Sequence, residues 1–159
     1  MPNSVATYLH FSWAGLVKHR QTGGIVPSQR FLIAKMIAPV PAAYGGQVIE
    51  LGAGSGALTL RLAARCPKAR ILACEINPTL AGDLSRNLAA AGLSSTVELF
   101  TGSAANLLSE LGQNGLEKPD FVISGIPPNC AKSSVTREGL ERAAKGYVAP
   151  EVELPWQNG

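Results

Sequence analysis

A chain of 159 residues, 46% hydrophobic and 16% charged, is long enough to bury the core of one domain and too apolar to remain disordered. A formal net charge of +3 with no long basic run permits an anionic partner without demanding one. Cys66, Cys74 and Cys130 are odd in number and lack a C-x-x-C spacing, which argues against a disulfide framework and for reduced thiols in a cytoplasmic protein.

In chain order, Ser4 to Lys18 is expected to form a helix with Ser4 as N-cap. Its aromatics Tyr8, Phe11 and Trp13, trailed by Lys18, His19 and Arg20, suit a helix lying in a membrane interface and equally one packed over a cleft. The apolar residues do not make one clean stripe, so packing is preferred and membrane-surface contact through residues 5–20 stays open. Thr22 to Ser28 reads as a loop and Ser28 to Ile37 as a short helix. The apolar stretch Phe31 to Ala43 is broken by Lys35, Pro39 and Pro41, so no membrane-spanning helix is expected. The first residues carry neither a basic n-region nor a clean apolar h-region, so no secretory signal is expected. His10 and His19 have no cysteine or carboxylate at ligand spacing, and no metal site is expected.

Strands near 47–52, 71–75, 96–100 and 120–124 alternate with helices near 56–66, 79–91 and 103–111. Such alternation predicts an α/β fold with a parallel, Rossmann-like sheet and helices on both faces. Ligands of such sheets bind beyond the carboxyl ends of the strands. Ser134 to Tyr147 is expected to be helical, whereas Val148 to Gly159 carries two prolines and no hairpin pattern. The organisation expected is one domain over 1–159: a helical lead-in (1–45), a cofactor-binding core (46–128) and an incomplete C-terminal part (129–159).

The most informative segment is Val48 to Leu60, V-I-E-L-G-A-G-S-G-A-L-T-L. An apolar run containing Glu50 meets Gly52, Gly54 and Gly56, and a helix-like sequence follows. This predicts a buried strand, a turn too tight for side chains, and a helix whose free amides face a ligand. The block resembles the first motif of the class I S-adenosylmethionine (SAM) methyltransferases, E/D-x-G-x-G-x-G. Gly52, Gly54 and Ala57 also satisfy the dinucleotide fingerprint G-x-G-x-x-G/A, with an acid roughly 20 residues on. Glu50 favours SAM, because a carboxylate can accept from the ammonium of a methionine moiety and would repel a pyrophosphate. A glycine-rich turn that binds nothing is the remaining reading.

Ile71 to Glu75 is a second apolar strand ending in an acid, with Asn77-Pro78 opening a helix. The resemblance implies that Glu75 accepts from the two ribose hydroxyls; taken alone it would be an ordinary strand-end acid. Many SAM enzymes carry an acid where this chain has Gly102-Ser103-Ala104. Ser103 is therefore either a weaker acceptor for the adenine amino group or simply the N-cap of the next helix. The cofactor-binding set expected is Glu50, Gly52, Ala53, Gly54, Gly56, Glu75, Ile76, Gly102, Ser103 and Ser124.

Ser124-Gly125-Ile126-Pro127-Pro128 stands where enzymes that methylate a base amine carry N-P-P-Y. It resembles the S-G-[IL]-P motif of bacterial phospholipid N-methyltransferases, and Thr22 to Ser28 resembles their G-A-I-x-P-S-S loop. This resemblance, from about Leu16 to Pro128, implies an amine acceptor such as the phosphatidylethanolamine head group. It also implies Ser124 and Pro127 as the residues facing that acceptor, and a cytoplasmic protein peripheral at the inner membrane face. Gln29 to Leu32 resembles the Q-N-F-L element of ribosomal RNA adenine dimethyltransferases. Their N-I/L-P-Y and their basic C-terminal domain are missing, so a nucleic-acid partner is not expected, though it stays open. A complete sheet of the class I family continues past its fourth strand, and only Cys130 to Gly159 remain here. The expectation is a sheet truncated after the fourth or fifth strand, its far edge exposed or covered by a partner. A SAM-binding remnant without turnover is the corresponding alternative to an active enzyme.

Overall fold

The computed structural model describes residues 9–10, 27–113, 119–126, 147–148 and 150–151. The strands of the main sheet are β2 (Gln47–Leu51), β3 (Arg70–Glu75), β4 (Val97–Thr101), β5 (Phe121–Ser124) and β6 (Tyr147–Val148), in spatial order β4-β3-β2-β5-β6. All pairings are parallel. The register sets Leu51 beside Cys74 and Ser124, so the carboxyl ends of the three central strands finish level.

Near-continuous apolar runs make these strands suited to burial on both faces. Val48, Ile71, Ala73, Val97 and Ile123 pack with Leu32, Leu58, Leu62, Leu84 and Leu88, which come from α1 (Pro27–Ile37), α2 (Ala57–Arg65) and α3 (Pro78–Ala90). Ile49, Leu51, Leu72, Cys74 and Val122 pack on the other face with Ala104 and Leu107 of α4 (Ala104–Gln113). Helix α3 has a well-made start, with Asn77 Oδ1 accepting from Thr79 N at 2.9 Å and Pro78 in the first turn, where its missing N–H costs nothing. Below the sheet, Arg65 Nε donates to the Val40 carbonyl at 3.0 Å and Ala43 N donates to the Arg65 carbonyl at 3.1 Å, tying the lead-in to β2 against the end of α2. The Tyr44 hydroxyl donates to Asp120, and its ring meets Phe121 edge-on at 5.2 Å. Burial and the Asp120 charge push the Tyr44 hydroxyl well above the usual phenol range.

Two expectations are corrected. Leu9–His10, expected within a helix, is a short strand, β1, paired in parallel with β7 (Pro150–Glu151). A contact between opposite ends of the chain carries no local pattern, whereas the local pattern of Ser4 to Lys18 favours a helix. Tyr147, expected to end a helix, instead begins β6, which pairs with Val122–Ile123 of β5. The fourth strand of the core is therefore covered there by the chain's own fifth. The rest of both expected helices, including most of residues 5–20, lies outside the described residues. Cys66 and Cys74 are buried free thiols. Among the described residues, no helix is long and apolar enough to cross a membrane and no cluster of His, Cys, Asp and Glu is arranged to hold a metal.

Candidate functional site

The turn after β2 is built from left-handed backbone. Gly52, Gly54 and Gly56 have φ of 76°, 59° and 97°, a region that strains any residue with a Cβ. Its amides are spent on the neighbouring strand: Gly52 N and Ala53 N donate to the Cys74 carbonyl at 2.9 and 3.0 Å. A Cβ on Gly52 would lie 2.9 Å from Ile126 Cγ1, so this glycine is required by close packing against the segment after β5. Among the described residues, a Cβ on Gly54 would meet nothing within 4 Å, which leaves open space above the middle of the turn.

Glu75 ends β3 and is almost buried. Gly54 N donates to its Oε2 at 2.7 Å and Asn77 N to its Oε1 at 2.8 Å, so the carboxylate bridges the glycine turn to the start of α3. Its backbone carbonyl accepts from Gly102 N at 3.0 Å, bringing the end of β4 to the same place. Ile76, next in the chain, is 69% exposed and offers an apolar surface beside that carboxylate.

Glu50 is placed differently. It is 2% exposed, beneath the turn, where Thr59 Oγ1 of α2 donates to its Oε2 at 2.7 Å. Burial pushes its carboxyl up to about 8; the Thr59 hydrogen bond opposes that rise and the Glu75 charge adds to it. At neutral pH Glu50 is therefore mostly a carboxylic acid. The Cys74 thiol is likewise raised, to about 11, by burial and then by Glu75.

Ser103 takes the N-cap role: its Oγ accepts from Asn106 N at 3.1 Å and its carbonyl from Leu107 N. Ser124 is 5% exposed and its Oγ accepts from Ile126 N at 3.3 Å, shaping the turn in which Gly125 N donates to the Leu51 carbonyl at 2.8 Å. Thus Glu50, Gly52, Ala53, Gly54, Gly56, Glu75, Ile76, Gly102, Ser103 and Ser124 gather at one sheet edge, whereas Pro127 lies outside the described residues. Sequence reasoning missed Thr59 and Asn87, whose Nδ2 donates to the Ser55 carbonyl at 2.9 Å. A hydroxyl on the buried face of α2 was the only available sign of the first, and nothing local pointed to the second.

Comparison with known proteins agrees with this geometry. Residues 48–143 match the family described as a methyltransferase domain. The chain is 32% identical over 139 residues to an ornithine lipid N-methyltransferase of Singulisphaera acidiphila, an alignment covering 83% of this chain and 70% of that protein. It is 33% identical over 84 residues to a catechol O-methyltransferase of Niastella koreensis, covering 51% of this chain and 38% of that one. Among solved structures, an O-methyltransferase from Bacillus cereus in complex with SAH superposes with a TM-score of 0.60 at 21% identity, over 82% of this chain and 56% of that chain. The fold is the Rossmann-like sheet of the class I methyltransferases. The chain belongs to the methyltransferase domain family, as a SAM-dependent member.

Proposed function

We propose that this chain methylates an amine of a lipid head group, working at a membrane surface on the cytoplasmic side. The observation that carries the cofactor half of this reading is the convergence of the glycine turn, Glu75 and the Ser124–Ile126 turn at one edge, with open space above Gly54. The residues fit SAM. Glu75 offers two fixed oxygens to a vicinal diol, Ile76 an apolar surface to a purine, and Glu50 a carboxyl to an ammonium. Bound SAM supplies a methyl group on a sulfonium, an electrophile that an unprotonated amine attacks without acid catalysis. The protein's part is then alignment and exclusion of water. Ser124, which holds the turn after β5, and Pro127 are assigned to the acceptor side.

The acceptor half rests on the ornithine lipid N-methyltransferase relative, on the Ser124 to Pro127 motif and on the outer face of α1. On that face Phe31 is 59% exposed, flanked by exposed Arg30 and Lys35, and the Lys35 ammonium sits 4.7 Å from the Phe31 ring centroid. Cations around an exposed aromatic suit an anionic bilayer surface. The test is transfer of labelled methyl from SAM to vesicles containing phosphatidylethanolamine or an ornithine lipid, alongside ribosomal RNA and a catechol. Label in lipid, with vesicle co-sedimentation weakened by Phe31→Ala, is the expected result. Label only in RNA or catechol overturns the lipid acceptor, and SAM binding with no turnover on any acceptor identifies a non-catalytic domain.

A further inference from the structure

We propose that Asn87 is a positioning residue that fixes the cofactor turn from the outside, an inference resting on the SAM reading above. Asn87 lies near the end of α3 on an exposed position, where asparagine is a poorer helix former than alanine. Its Nδ2 reaches the Ser55 carbonyl at 2.9 Å, a bond that spans 32 positions of sequence. The acceptor is a carbonyl, so the atom facing it is the amide nitrogen.

Ser55 stands between two glycines of positive φ, Gly54 and Gly56. With no Cβ on Gly56, sterics constrain the plane of the Ser55–Gly56 peptide on one side only. Hydrogen bonds hold it at both ends instead: Asn87 grips its carbonyl, and its N–H, that of Gly56, donates to the Ala53 carbonyl at 3.0 Å. Leu84, one turn earlier on α3, fills the space that a side chain on Gly56 would need. The β3–α3 unit therefore holds the turn at successive points, through the Cys74 carbonyl, the Glu75 carboxylate and the Asn87 amide. The first two anchor the strand side of the turn, and Asn87 anchors the side that leads into α2. A turn prepared in this way binds its ligand without first having to be ordered.

The test uses Asn87→Ala and Asn87→Asp, the second an isostere that presents no donor when ionised. Three readouts apply: SAM affinity by calorimetry, the unfolding midpoint without ligand, and hydrogen exchange at the Gly56 amide in the ligand-free protein. Both variants are expected to fold, to exchange the Gly56 amide faster, and to bind SAM about three- to tenfold more weakly, the worth of one neutral hydrogen bond. KM for SAM should rise while kcat and the acceptor KM hold. Unchanged exchange and affinity in both variants overturn the proposal, as does a lowered midpoint with unchanged affinity, which marks Asn87 as merely structural. If the unaltered protein fails to bind SAM, the cofactor reading falls, and exchange at Gly56 alone decides whether Asn87 fixes the turn.

Discussion

Replacing Glu50 by glutamine should make the ligand-free protein less sensitive to alkali while impairing its grip on SAM. The folded chain holds the Glu50 proton up to about pH 8, whereas an unfolded chain releases it near the ordinary glutamate value of 4.5. Between those values the folded state binds more protons than the unfolded one, so stability falls as pH rises, by up to about 1.4 kcal/mol per unit. Between pH 5 and pH 8 the loss from this one fully buried group amounts to about 3 kcal/mol, or on the order of 6–12 °C in the unfolding midpoint of a domain this size. The substituted amide keeps a carbonyl for Thr59 and has no proton to lose, so urea midpoints of Glu50→Gln should lack this fall and overtake the parent toward pH 8. An ammonium beside Glu50 favours the ionised form, so SAM binding at pH 7 should expel up to about one proton from the parent and none from the variant at this site. Calorimetry in two buffers of different ionisation enthalpy measures that number. Parallel pH–stability curves for the two proteins, or equal proton release, would refute the assignment of a protonated Glu50 beneath the turn.

The first two glycines of the turn should fail in different ways. Gly52→Ala drives a Cβ against Ile126 at positive φ and should cost about 2 kcal/mol of stability, measured by urea unfolding. Gly54→Ala bears only the backbone strain, about 1 kcal/mol, but fills the open space and should weaken SAM binding more than about tenfold. Equal affinities before and after the Gly54 change would mean that no ligand sits there. Glu75→Gln puts an amide NH2 opposite one of two backbone donors, Gly54 N or Asn77 N, and should cost about 2 kcal/mol along with most of the SAM affinity. Because the Glu75 charge helps raise Glu50, the same change should move the pH window of instability downward, as urea midpoints would show.

The core elements were legible to within a residue or two. Apolar runs ending in Gly, Pro and Asn-Pro are local signals, and the resemblance to class I methyltransferases rests on a contiguous stretch around Gly52 to Gly56. Pairings between distant segments were not legible: Leu9–His10 with Pro150–Glu151, and Tyr147–Val148 with β5, join residues whose own neighbourhoods suggest something else. The N-cap role of Ser103 became visible only in its hydroxyl accepting from Asn106 N.

By itself, the sequence determined a parallel sheet with a side-chain-free bend and two acids at its carboxyl edge, because strand length, turn chemistry and the spacing of those acids are written within a few residues of each other. Only the tertiary structure decided that one acid, Glu75, accepts from Gly54 N and Asn77 N and braces the bend, while the other, Glu50, lies buried against Thr59, where desolvation favours its protonated form in the ligand-free protein. That division depends on which helix covers which carboxyl, and desolvation is a property of the packed interior rather than of any stretch of chain.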